Sequence, residues 1–560
     1  MSRRARYYLG EAFVVEHGPA SGAVRGTAIL ILPPMGYEDT CAYRPLRVLA
    51  DALARAGHVV MRIDWPGLGD SARDDGDPAL VDRCREAVAA AAASLRARGF
   101  TRVAAVGVRA GGLIALASDA LDELVLWATP PRGKGYLREE RAFHKMAAHA
   151  YGDPPAGRPP LPEGAVEAGG FVYNPRTVAA LEGLVAAELA AQLATTRRVR
   201  RVLLIERDGT APLSAFTDAL AGAGAEVSVS SASGLGSLLE NPYEAALDPS
   251  VEAAVLGWFS LGAGVIVPLT TARKDTIVLD SGVRERPWVH RGGAGELSGI
   301  VCEPAGGAPA GAAWTLFFNA GGIRRAGPCR LWTTAARSLA AAGHPSLRFD
   351  VRGVGDSDGS SIPHRDLEEM YSESSIEDAL AAYDALRARG AGAIDVVGLC
   401  SGAFLGVQVA VRRPVRRALL FNGLAFVWND DARASGVTAH IRGSLLNARR
   451  WRRLLTGRID AVALARAVVS KSRITLGEAA SRLRGEPPPD EVAALLRAVA
   501  RSGTDLHLVS SEGDPSIAYL ERHLPPRQRP RLTVLPGVDH TIRPIWAHAG
   551  VVQLIRESAS

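Results

Sequence analysis

"VVGLCSGAFLGVQVA", residues 396–410, joins the pattern of a strand to the pattern of a helix. Its opening residues are apolar and β-branched and close on a glycine, the pattern of a short buried strand. From Ser401 onward it starts on small residues and reads as a helix. Between the two, G-L-C-S-G sets Cys400 at the apex with Gly398 and Gly402 on either side. A strand that turns straight into a helix brings their backbones too close for larger side chains, which is the use of the paired glycines. The apex side chain then lies at a helix N-terminus, where backbone N–H groups and the helix dipole favour a thiolate. A buried structural cysteine between two unrelated glycines fits this short stretch equally, so the rest of the chain has to decide.

The same design occurs earlier as "AAVGVRAGGLIALAS" (104–118), with Arg109 at the apex. It is one of several repeated segments. "AGHVVMRIDWPGLGDS" (56–71) matches "AGHPSLRFDVRGVGDS" (342–357), and "AILILPPMG" (28–36) has the character of "TLFFNAGGI" (315–323). Asp64 and Asp350 stand 286 residues apart, as do Gly69 and Gly355, and Arg109 and Cys400 stand 291 apart. A near-constant offset across separate segments is the mark of a duplication. In each copy apolar strand runs alternate with alanine-rich amphipathic helices such as "YRPLRVLADALARAG" and "LWTTAARSLAAAG", each stopped by glycine. That alternation predicts an α/β fold, two mostly parallel sheets each flanked by helices.

Length agrees: 560 residues exceed one ordinary core, and the expected division is residues 1–262 and 275–560. One stretch in each half interrupts the alternation, about 131–185 and about 429–500. Both follow a late strand, where an insertion would cover the carboxyl edge of the sheet as a helical lid. Apolar residues at 47% and charged residues at 22% are ordinary for a globular chain. No window approaches the roughly 18 apolar residues of a membrane span, and no secretory signal is read at the start. Five scattered cysteines show neither a CxxC pair nor a disulfide framework, which fits a reducing cytoplasm. The net charge of +6 is mild, and no nucleic-acid motif, zinc pattern or cofactor motif accompanies it.

Two later segments supply partners for Cys400. "LHLVSSEGDPS" (506–516) is a strand ending in a turn that carries Asp514, and "LTVLPGVDHTIRP" (532–544) is a strand followed by a loop carrying His540. Nucleophile, acid, base, each just past a strand, is the order that nucleophilic acyl chemistry uses in the α/β-hydrolase fold. The imidazole takes the thiol proton, and the carboxylate fixes its tautomer and stabilises the imidazolium. Glu512 is the alternative acid, and Asp539 lies close enough to be mistaken for it. An oxyanion hole is expected from the backbone N–H groups of Ser401 and Gly321, with Asn319 either orienting that turn or serving as a plain turn residue.

The first half fails the same audit. Arginine is no nucleophile at neutral pH, so Arg109 either binds a carboxylate or phosphate or pairs with an acidic neighbour. "ASGLGSLL" (232–239) puts about Ser237 where the histidine should be, Pro33 and Pro34 lack N–H donors, and Asp208 stands near the acid position without partners. This half reads as a degenerate hydrolase domain.

On these residues the chain resembles the α/β-hydrolase superfamily along nearly its whole length. "PPMGYEDTCAYRPLRVLADALARAGHVVMRIDWPGLGDSA" and "GAVEAGGFVYNPRTVAAL" are similar to the type 2 member of a pair of hydrolases found beside bacterial exosortase systems. "FNAGGIRRAGPCRLWTTAARSLAAAGHPSLRFDVRGVGDSDG" is similar to the type 1 member. The family elbow usually carries serine, so Cys400 departs from it. A thiol acyl-enzyme is a thioester, which exchanges with incoming thioesters at little energetic cost, and the expected activity is acyl transfer or thioester hydrolysis in a biosynthetic pathway. Ester or lactone hydrolysis is the alternative, and a non-enzymatic binding protein the reading from another class. "HIRGSLLNARRWRRLLTGR" (440–458) reads either as a solvated helix face or as a dock for an acyl or peptidyl carrier protein or coenzyme A, through Arg449, Arg450 and Arg453.

Overall fold

A computed structural model describes residues 3–20, 24–149, 160–196, 198–207, 210–211, 214–260, 275–292, 295–359, 368–429 and 490–559. The expected boundary (261–274) and Arg449, Arg450 and Arg453 lie outside them, as does Asp208.

The strands fall into two large sheets and one small hairpin. The first half contributes β1 (Arg3–Leu9), β2 (Ala12–Gly18), β3 (Thr27–Leu32), β4 (Val60–Ile63), β5 (Arg102–Val108) and β6 (Glu123–Trp127). The hairpin β7 (Val166–Ala168) and β8 (Phe171–Tyr173) precedes β9 (Arg201–Ile205) and β10 (Glu226–Ser230). The second half contributes β11 (Ile277–Val278), β12 (Arg284–Gly292), β13 (Gly295–Glu303), β14 (Ala313–Phe317) and β15 (Ser346–Phe349). It continues with β16 (Ala393–Leu399), β17 (Arg417–Phe421), β18 (Asp505–Ser511) and β19 (Arg531–Leu535).

The sheet orders are β1-β2-β4-β3-β5-β6-β9-β10 and β11-β12-β13-β15-β14-β16-β17-β18-β19. Apart from the short edge strand β11, the two orders are the same order. Both open with antiparallel pairs and run parallel from the β3–β4 and β14–β15 pairs onward. The central strands are buried on both faces, which is why they read as continuous apolar runs and not as alternating ones.

Each apex residue follows its strand in a strained left-handed conformation: φ 54°, ψ −121° at Arg109 and φ 59°, ψ −113° at Cys400. The paired glycines are required sterically. A Cβ on Gly398 would lie 2.1 Å from the carbonyl oxygen of Gly402, and one on Gly402 would lie 2.6 Å from that of Asn319. Such a φ costs a non-glycine residue on the order of 1–3 kcal/mol, so packing around the turn must hold it.

The described part of the stretch 131–185 is a helix (Gly133–Ala148), the β7–β8 hairpin and a second helix (Pro175–Glu182). Of the stretch 429–500, residues 430–489 lie outside the described residues, and the helix Glu491–Arg501 closes it.

The halves meet through the repeated G-D-S loops, and the pairing is reciprocal. Arg62 of the first half pairs with Asp356 of the second, and Arg348, the repeat counterpart of Arg62, pairs with Asp70, the counterpart of Asp356, at 3.2 Å. Arg324 holds Asp64 at 2.7 Å and Asp39 at 2.9 Å, and Arg325 reaches Asp70 at 2.8 Å as well as Asp350 and Asp356 of its own half. The Tyr43 hydroxyl donates to Asp356 at 2.6 Å. All these groups are buried. Charges so far from water are tolerable only when paired and hydrogen-bonded, so each half depends on the other to keep its loop charges satisfied. Around them Tyr8, Phe13 and Val15 share one apolar cluster with Ile300.

Candidate active site

Cys400 sits between β16 and the helix Ser401–Arg412, buried, with its backbone N–H donating to the carbonyl of Phe421 on β17 at 3.0 Å. Asp514, at the turn after β18, caps the helix Pro515–His523 by accepting from the Ser516 N–H at 2.9 Å. Its other oxygen lies 2.7 Å from Nδ1 of His540. Of the three carboxylates considered, Asp514 is the one the fold brings to the His540 ring. Glu512 accepts from the Gly537 N–H at 3.2 Å, and Asp539 braces its own loop through Thr541 and Arg543.

The far ring nitrogen of His540, Nε2, is buried, and the charged group that acts most strongly on the ring is the Cys400 thiol. Burial alone would raise the thiol; the His540 charge, hydrogen bonds from His540 and Tyr371, and the Ser401 N–H outweigh it and hold the thiol below its ordinary value. Burial alone would lower His540; the Cys400 charge and Asp514 outweigh it and push the imidazole up to about 10. Asp514 is held below the usual carboxylate range, because its bond to His540 overcomes its own burial. Each of the three shifts runs in the direction that a thiolate, an imidazolium and a carboxylate placed side by side would produce.

Two residues of this site carried no sequence signal. The Tyr371 hydroxyl lies 3.7 Å from Cys400 Sγ, and its ring stacks on Trp428 with centroids 4.3 Å apart. Asn422, just past β17 at φ 46°, donates from Nδ2 to the His540 carbonyl at 2.7 Å and to Ser511 Oγ at 3.0 Å, and accepts from the Ser511 N–H at 2.7 Å. It ties the acid strand to the histidine loop.

One expectation is corrected. Gly321 does not offer a free oxyanion donor, because its N–H donates to Ser401 Oγ at 3.0 Å. Asn319 does orient the turn: its side chain donates to the Ile323 carbonyl at 3.0 Å and to Asp350 at 3.1 Å, and accepts from the Val351 N–H at 2.8 Å.

In the first half Arg109 is buried and fully engaged, with Glu38 at 3.0 Å, Glu139 at 2.6 Å and the Tyr136 ring 5.5 Å away. Of its two readings, the geometry matches pairing with acidic neighbours. Counted from the strand ends, the counterpart of His540 is Leu235, two residues before Ser237, and the counterpart of Asn422 is Ala128, at φ 47°.

Residues 300–554 match the model of the alpha/beta hydrolase family. A comparison with curated proteins found no match. Among solved structures, an alpha-beta serine hydrolase homologue from Coxiella burnetii is 14% identical over 49% of this chain and 97% of its own, with a TM-score of 0.31. A proline iminopeptidase from Mycobacterium smegmatis is 19% identical over 49% of this chain and 98% of its own, also at 0.31. A serine hydrolase without a lid from Xanthomonas campestris is 15% identical over 49% and 94%, at 0.30. Residues 300–554 form an alpha/beta hydrolase domain. Among the described residues no helix is long and apolar enough to cross a membrane.

Proposed function

We propose that the chain is a tandem of two hydrolase-type domains, in which the second performs acyl transfer or thioester hydrolysis through a Cys400 acyl-enzyme and the first serves as its scaffold. What supports this reading is the 2.7 Å contact of Asp514 with His540 beside the buried elbow thiol of Cys400, with the thiol held low and the imidazole held high. In the proposed reaction the thiolate attacks the acyl carbon, and the carbonyl π pair moves onto oxygen, where the Ser401 N–H stabilises it. As the tetrahedral adduct collapses, the bond to the leaving group breaks and the His540 imidazolium gives that group its proton. Water or another nucleophile then attacks the thioester, loses its proton to His540, and releases Cys400 as thiolate.

The choice of cysteine favours thioester donors. Exchange of one thioester for another is close to thermoneutral, whereas forming a thioester from an oxygen ester is uphill. Incubation with a small acyl thioester, acetyl-N-acetylcysteamine, is expected to add one acetyl group at Cys400, readable by intact mass and peptide mapping, and none in Cys400→Ala. Acetylation of Cys329 with Cys400 untouched would sink the reading.

A further inference from the structure

The segment Asn241–Ala245 belongs to the first half but lies against the glycine turn of the second. A Cβ built on Gly322 would lie 2.9 Å from the carbonyl oxygen of Pro242, and one on Gly321 would lie 1.9 Å from the Tyr243 hydroxyl. Gly321, at φ 58°, thus gives up its side-chain space to a tyrosine of the other half. The Tyr243 ring packs on the apolar core of the second half. Its backbone is braced from its own side: the Tyr243 and Glu244 N–H groups donate to the Asn241 side chain at 2.9 and 3.0 Å, and Arg44 donates to the carbonyls of Tyr243 and Ala245 at 2.9 and 2.8 Å. Burial first, then the charge of Cys400 and a hydrogen bond to it, drive the hydroxyl well above the ordinary tyrosine range, so it stays protonated.

Of the two expected backbone donors, the Gly321 N–H is taken up by Ser401 Oγ, which leaves the Ser401 N–H and room for a side-chain donor at the oxyanion position. We infer that Tyr243 supplies that donor: its hydroxyl, resting on Gly321, donates to the carbonyl oxygen of the acyl group as Cys400 attacks. Bond making and breaking are unchanged from the proposed reaction; Tyr243 keeps its proton throughout and hydrogen-bonds to the oxygen that gains the electron pair. The inference rests on Cys400 being acylated, and it makes the first half a contributor to the site and not only its support.

Tyr243→Phe tests it through two rates measured on the same sample, acetylation of Cys400 by p-nitrophenyl acetate and alkylation of Cys400 by iodoacetamide. Alkylation displaces iodide and develops no oxyanion, so the ratio of the two rates cancels any loss of folded protein. The expected result is a fall in the ratio of about 100-fold, the usual cost of one oxyanion donor, with alkylation near the wild-type rate. A ratio within about twofold of wild type overturns the inference. So does a parallel fall of both rates, which would mean that Tyr243 only tunes the thiol. Tyr371→Phe serves as the contrast, since a group in contact with Sγ should slow alkylation itself. If the wild-type protein alkylates at Cys400 but is never acetylated there, the acyl-enzyme reading fails first and the inference falls with it.

Discussion

The two elbows, at Arg109 and Cys400, have nearly the same backbone and opposite chemistry. Both apex residues are strained to positive φ within 5° of each other (54° and 59°), both are followed by a helix, and both donate their backbone N–H to the next strand at 3.0 Å. The residue past the neighbouring strand is also left-handed in both halves, Ala128 at φ 47° and Asn422 at φ 46°. What differs is a handful of side chains. In the second half Asn422 binds the histidine loop to the strand that leads to Asp514, and Asp514 holds the imidazole of His540. In the first, Ala128 has nothing to bind with and Arg109 is closed off by Glu38 and Glu139. The frame keeps its strain with or without chemistry, because the sheet, glycines and buried interface enforce it. The site exists only where the side chains complete it.

The largest effect should come from removing the difference itself. Cys400→Ala is expected to lower turnover by at least about a thousandfold, roughly 4 kcal/mol of transition-state stabilisation, measured with acetyl-N-acetylcysteamine. Near-normal turnover in this variant would erase the distinction between the halves. Next is the interface that joins them. Asp356→Ala leaves Arg62, Arg325 and Tyr43 without their shared acceptor, and stranding buried charge costs about 3–5 kcal/mol. Urea unfolding should show that loss in a single transition covering both halves. Two separate transitions, with only one shifted, would show that the halves stand alone.

Asn422→Ala copies the first half's Ala128 into the second. Losing hydrogen bonds at a buried site costs about 1–3 kcal/mol, and the expected reading is a fall in kcat of about 10- to 100-fold, with the alkaline limb of the pH profile moving down as His540 loses its alignment with Asp514. Asn422→Asp, which keeps the acceptor for the Ser511 N–H, should recover part of the loss if the effect is positional. Unchanged kcat and profile would make Asn422 a matter of stability alone. The smallest effect is expected at Arg109→Met, within about tenfold of the wild-type chemical step, roughly 1.4 kcal/mol. A collapse of turnover in a folded Arg109 variant would mean that the first elbow works too.

Much of this could be read along the chain, for a physical reason. Glycine spacing, strand ends and the order Cys400, Asp514, His540 are local features, and local features leave a pattern in sequence. Asn422, Tyr371 and Tyr243 leave none, since each acts across a long loop or from the opposite half, and a tyrosine in "ENPYEAAL" looks like any other. The repeat revealed the two G-D-S loops, but that Arg62 and Arg348 cross over to each other's aspartates is a property of how the halves dock. Gly321 differs from the expectation for a related reason: the glycine turn is plain in the sequence, whereas the capture of its N–H by Ser401 Oγ depends on a neighbour 80 residues away.

If the second elbow holds a thiolate paired with an imidazolium, the pH dependence of alkylation at Cys400 must report it. Intact protein would be treated with iodoacetamide across pH 5 to 11 and the modified cysteine mapped. Because His540 lowers the thiol, the rate at Cys400 should already be on its plateau below the ordinary thiol range of about 8.5, and should fall only as acid protonates the thiolate. Turnover should share that acid limb but also decline above about 10, where His540 loses the proton it gives to the leaving group. A rate at Cys400 that climbs through pH 8 to 9 like a free thiol, or alkylation that prefers Cys329, would contradict the account.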